Sequence, residues 1–173
     1  MSASRGLATV GTLVAASLVL YAAEGLFPSP LPFLKLGLSN IVTLFALATM
    51  GVRAAVAVTA LRVLVASALA GTIAGPAFAL SMGGGLAAAL GMGAAARWGT
   101  PPLSVVGVSM VGAACHNLAQ LSIVAWLFAG AVSRLVPAAL LISAVTGLAT
   151  GLAARFALDK LGRHVGTWRS AFA

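Results

Sequence analysis

Acidic side chains are almost missing from this sequence: Glu24 and Asp159 are the only two in 173 residues. That scarcity excludes the clustered carboxylates that hold a divalent cation, so no metal site is expected. Charged residues of both signs amount to 7%, against about 25% in a soluble domain, which excludes a soluble fold. A single cysteine, Cys115, excludes an intramolecular disulfide and has no companions for a Cys-rich metal site. What the chain has instead is 61% hydrophobic residues. It reads as an all-α integral membrane protein of one domain, 1–173, embedded in the lipid bilayer. The formal charge of +8 does not point to nucleic acid, because the basic residues mostly stand singly between apolar runs, where topology places them. No cofactor is implied.

Six apolar segments are separated by breakers: Leu7 to Phe27, Leu36 to Met50, Ala54 to Ala74, Ala77 to Ala96, Leu103 to Phe128 and Val136 to Leu158. The first has Arg5 before it and the small residues Ala22 and Ala23 near its end, as a secretory signal does. Its apolar run is longer than a signal core, so it is expected to stay as a span. The second is short and follows Pro28, Pro30 and Pro32, which break or extend the backbone. Such backbone persists at membrane depth only inside protein or beside a wet cavity. Arg5, Arg53, Arg97, Arg155, Lys160, Arg163 and Arg169 fall on one side of this topology, and Lys35 and Arg134 on the other. The positive-inside rule then puts both termini in the cytoplasm and the Pro-rich loop outside.

Polar residues interrupt the spans at depth. Arg62 lies eight residues into the third, about 12 Å along it, where a charge costs roughly 2.5–3.5 kcal/mol. His116 lies about 20 Å along the fifth, sharing a face with Gln120, while Asn117 points about 100° away. Two readings stand. These groups hydrogen-bond neighbouring helices, or they surround a pocket open to the outside together with Glu24, Lys35, Asn40, Ser67, Thr72 and Ser81. In the second reading Arg62 and Lys35 outweigh Glu24 and favour an acidic or phosphorylated ligand. Cys115 and His116 are adjacent and diverge by the same 100°, so they make no nucleophile–base pair. No catalytic residue is assigned.

Small residues recur at fourfold spacing: Ala8, Thr12 and Ala16; Gly11 and Ala15; Ala87, Gly91 and Ala95; Ser143, Gly147 and Gly151. In lipid they permit close backbone approach, either within this protein or toward another membrane subunit.

The stretch KLGLSNIVTLFALATMGVRAAVAVTALRVLVASALAG, with SMGGGLAAALGMG, VGVSMVGAACHNLAQL and LISAVTGLATGLAAR after it, resembles the family called both heptaprenyl diphosphate synthase component I and Gx transporter. The likeness runs from Leu34 to Arg155. That family is similar to the substrate-binding (S) subunits of energy-coupling-factor transporters, whose second span opens in a like way, here at Lys35, Leu36, Leu38, Ser39 and Asn40. The resemblance implies a six-helix S-component-like bundle in the cell's inner membrane. It also implies an outward-facing pocket that captures a vitamin-like or other small molecule. Joined to the reading of the intramembrane polar residues, the expectation is a small anionic, vitamin-like or isoprenoid-like ligand held by Arg62, His116, Asn117, Gln120, Asn40, Lys35 and Glu24. The resemblance further implies docking of a coupling membrane subunit, served by cytoplasmic ATPases, on Ala8, Gly11, Thr12, Ala15 and Ala16. With no Walker A pattern, ATP hydrolysis falls to those partners. The synthase in the family's name needs clustered aspartates that this chain lacks, so no enzymatic activity is expected. An accessory role beside an isoprenoid, quinone or flavin-linked enzyme is the competing reading.

Overall fold

A computed structural model describes residues 3–26, 37–98, 103–128 and 132–160. Six α-helices make up nearly all of it: α1 Ala3–Glu24, α2 Asn40–Met50, α3 Val52–Leu69, α4 Pro76–Trp98, α5 Val105–Phe128 and α6 Val136–Lys160, the last entered through a 3₁₀ turn at Val132–Leu135. Five are long and apolar enough to cross a membrane, and α2 is the short one. At 1.5 Å per residue α2 is about 16 Å long, roughly half of the hydrocarbon layer.

The distribution of residues is inverted relative to a soluble protein. Ser, Thr, Asn, Gln, Arg and His side chains fill much of the interior, whereas Leu141 and Val145 are 71% and 69% exposed and Leu61, Leu90, Leu152 and Phe156 also face outward. Only a hydrocarbon surround rewards that arrangement, and the protein is accordingly a multi-pass membrane protein.

The packing explains why the spans begin and end where they do. α2 sits at the centre, against α1, α3, α4 and α6, and buries Val42, Leu44, Ala46 and Leu47. These join Ala55 and Val58 of α3, Ala88, Met92 and Ala96 of α4, Val105 and Val108 of α5 and Leu158 of α6 in one apolar core. The core lies toward the end of the bundle where α2 passes into α3. That passage takes a single residue, Gly51, at φ 86° and ψ −179°, a backbone region essentially reserved for glycine.

The third span, expected to continue to Ala74, stops at Leu69. Gly71 takes a left-handed conformation, its N–H donating to the Ala68 carbonyl while the Thr72 N–H reaches back to the Ser67 carbonyl. This paired closure is a Schellman termination, and the apolar Ile73 and Ala74 beyond it belong to a turn. Thr72 is exposed in that turn, so it is not inside the bundle as expected.

Helix contacts account for two of the small-residue stripes. A Cβ on Gly147 would lie 2.7 Å from Met110 Cα, and one on Gly151 2.8 Å from Val106 Cα. Their absence lets α5 and α6 touch backbone to backbone. Gly91 likewise opposes Cys115. The stripe on α1 differs: Ala8, Gly11, Thr12, Ala15 and Ala16 are all exposed, and a Cβ on Gly11 would meet nothing within 4 Å. α1 instead turns Val10, Leu13, Val14 and Leu20 toward the core, with Ser17 and Glu24 fully inside.

These contrasts set opposite expectations for one chemical change. Gly147→Ala is expected to cost about 1–3 kcal/mol through overpacking. Gly11→Ala should gain up to about 1 kcal/mol from helix propensity. Thermal midpoints of the two variants in detergent measure both.

Candidate functional site

The polar interior lies in the other half of the bundle, where α1 ends and α2 begins. Gly37 stands in a left-handed conformation and its N–H donates to Glu24 Oε1, tying the end of α1 to the entry of α2. The Asn40 N–H then closes on the Gly37 carbonyl at 2.8 Å, starting the helix.

Behind this junction is a cavity lined by Tyr21, Glu24, Gly37, Ser39, Arg62, Ser81, His116 and Gln120. It thus draws side chains or backbone from α1, the turn before α2, α3, α4 and α5. The void between these groups is about 250 Å³ counting the part open to the exterior, but the centre of a water-sized sphere has only about 10 Å³ to occupy. That is room for roughly one water.

Arg62 is 3% exposed and Gln120 1%. The Arg62 guanidinium carbon is 5.8 Å from the centre of the Tyr21 ring, within cation–π range, and its charge interacts with that of Glu24. Formally the two charges among the lining residues cancel. The surplus of positive charge expected from the sequence needed Lys35, which lies outside the described residues.

The run Gly83, Gly84 and Gly85 in α4 makes this convergence possible. Successive helical positions point about 100° apart, and each glycine leaves space for a different neighbour. A Cβ on Gly84 would sit 3.0 Å from both His116 Cε1 and Gln120 Cγ, and one on Gly85 2.7 Å from Thr59 Cγ2 and 3.3 Å from a terminal nitrogen of Arg62. Gly83 opposes Ile123. Side chains of α3 and α5 therefore pass the bare glycine face of α4 to reach the same void, which α4 itself lines through Ser81. Three glycines in mid-helix cost about 1 kcal/mol each relative to alanine. That local penalty was the available sequence signal for a site role, and the sequence reading passed over it together with Tyr21, Gly37 and Ser39.

Not every expected residue comes here. Asn117 turns away from the cavity and donates to Ser143 Oγ at 2.7 Å, while Ser143 bonds the Ala139 carbonyl. With Ser109 and Thr150 at 2.9 Å, these contacts stitch α5 to α6. Thr43 and Thr59 do the same between α2 and α3 at 3.0 Å. Asn40 is buried beside Gly37 but is not in the lining, and Ser67 is buried farther along α3. Buried Arg62 Nε, Gln120 Oε1, Asn40 Oδ1 and Ser17 Oγ have no hydrogen-bond partner among the described residues.

A family model described as heptaprenyl diphosphate synthase component I matches residues 13–157. No curated protein and no solved structure matches the chain.

The Asn117–Ser143 contact carries its own expectation. Ser143→Ala should lower stability by about 0.6 kcal/mol and at most about 1.7, the range of intramembrane hydrogen bonds, without altering any ligand bound at the cavity. Paired melting and ligand-retention measurements on this variant check both halves.

Proposed function

The chain belongs to the heptaprenyl diphosphate synthase component I family, and from that premise we propose that it is the substrate-capture subunit of a multi-subunit importer similar to energy-coupling-factor transporters. In this reading the protein crosses the membrane six times with both termini in the cytoplasm. Arg5, Arg53, Arg97, Arg155 and Lys160 stand at the helix ends that would face the cytoplasm, as the positive-inside rule asks. The cavity then opens toward the outer surface and receives a small polar molecule. Arg62, Gln120 and His116 contact it, with Glu24 and Lys35 near its mouth. Asn40 acts from the α2 entry, while Asn117 lies outside the site in the α5–α6 seam. No step of covalent chemistry is assigned to any residue.

The observation that carries this reading is the pairing of a buried, incompletely hydrogen-bonded Arg62 with a polar void lined from five segments of the chain. A guanidinium kept at such expense in a hydrocarbon layer is a mark of function. The void has room for about one water in this conformation, so loading requires the lining side chains to draw apart. The exposed face of α1 at Ala8, Gly11, Thr12, Ala15 and Ala16 is the surface on which a coupling subunit would pack, with cytoplasmic ATPases beyond it.

The family's own description favours a second reading. A component I implies a partner component, and this chain would then anchor or modulate a prenyl diphosphate synthase without performing the reaction. Co-purification separates the two: recovery with ATPase and coupling subunits supports import, and recovery with a synthase supports the accessory role.

The direct test is mass spectrometry of the gently purified protein. Wild type is expected to retain a small molecule. The charge-neutral pair Arg62→Met with Glu24→Gln is expected to lose it while melting no lower than wild type, since exchanging two buried, opposite charges for neutral side chains of similar volume costs little net stability. Retention of the molecule by a folded double variant would reject this cavity as the capture site.

A further inference from the structure

The capture reading leaves the chemistry of the ligand open, and the hydrogen-bonding inventory of the cavity narrows it; the inference below rests on that reading. Two lining groups are almost wholly buried and lack partners: Arg62 Nε and Gln120 Oε1. The first is a donor only and the second an acceptor only. The side chains that carry them pass different glycines of α4, a terminal nitrogen of Arg62 lying against Gly85 and Gln120 Cγ against Gly84, and both residues line the cavity. A buried donor and a buried acceptor left unmet are each costly, so the occupant of this space must accept from one and donate to the other.

Charge narrows the choice further. Among the described lining residues Arg62 and Glu24 carry the formal charges, and they balance. A diphosphate would bring at least two negative charges beside an Arg62 that already has an anionic neighbour, and a buried charge without a partner is strongly disfavoured. A neutral group that presents a donor beside an acceptor satisfies both orphaned atoms and leaves the balance intact. The free volume admits a single water, which carries the same pair of functions, and a larger ligand enters as the lining side chains draw apart.

We infer that the cavity recognises the adjacent N–H and C=O of a neutral amide, imide or ureide, a water holding that place in the empty protein. The carbonyl accepts from Arg62 Nε and the N–H donates to Gln120 Oε1. The remainder of such a ligand lies toward the open part of the void, beside Tyr21 and Ser39.

The test uses the full chain in detergent and two small cyclic ureas, followed by ligand-observed saturation-transfer NMR. 2-Imidazolidinone is expected to bind saturably. 1,3-Dimethyl-2-imidazolidinone, the same ring with both N–H groups capped, should bind at least tenfold more weakly, and inorganic diphosphate should not displace the uncapped ring. Gln120→Met should lower affinity for 2-imidazolidinone at least tenfold with an unchanged melting midpoint. The comparison of capped and uncapped rings decides the matter on wild-type protein even where that variant does not fold. Equal binding of the two rings, or no binding of either, overturns the assignment. Binding of diphosphate in preference to the ring overturns it as well and leaves substrate capture standing. Capture itself falls if wild type retains no small molecule, and capture at this cavity falls if the folded Arg62→Met, Glu24→Gln double variant still retains it.

Discussion

A guanidinium held inside a hydrocarbon layer is the constraint to which the interior of this protein answers. Left alone at the centre of a bilayer, Arg62 would cost roughly 2.5–3.5 kcal/mol even on lenient scales. The bundle surrounds it instead: the Tyr21 ring on one side, the Glu24 charge nearby and the bare backbone of Gly85 against its tip. Each of those arrangements imposes another. Glu24 is oriented by the Gly37 N–H, so the conformation of the turn before α2 is part of the electrostatic environment of α3. Gly85 must remain without a side chain, so α4 gives up helix propensity to make room.

The division of labour between the two ends of the bundle follows. One end is close-packed and apolar around Leu44, Leu47, Val58, Met92 and Val108, and it supplies rigidity through dispersion contact. The other is polar and less completely satisfied, with orphaned atoms on Arg62, Gln120 and Asn40. Natural proteins leave few such atoms unmet, and those they leave tend to sit where something else is meant to bind. The α5–α6 pair illustrates the alternative: Asn117, Ser143, Ser109 and Thr150 satisfy one another, and the seam they make is structural.

Much of this was legible in the residues alone. Long apolar runs separated by glycine, proline and arginine mark spans reliably, because lipid tolerates little else, and five long helices plus a short α2 follow that reading closely. The boundaries that were misjudged have a common cause. Ile73 and Ala74 are as apolar as the helix before them, so hydropathy could not register the Schellman turn at Gly71, and Thr72 went with them. The meeting of Arg62, His116 and Gln120 could be anticipated because polar side chains at that depth must find company. Asn117 was the harder case: the 100° between it and His116 said that it faced elsewhere, but not that Ser143 waited there. The run Gly83, Gly84 and Gly85 carries no fourfold spacing to mark it, and the different neighbours its three members face emerge only from the helices around them. Lys35, on which the expected surplus of positive charge rests, lies outside the described residues.

The elbow at Gly51 has a mechanical side. With one residue between them, α2 and α3 cannot swing independently; they form a crooked lever whose fulcrum lies in the dense apolar end. A small tilt of the arm bearing Arg62 is therefore conveyed to the other arm, and its greatest sweep falls on the far tip at Asn40 and Ser39.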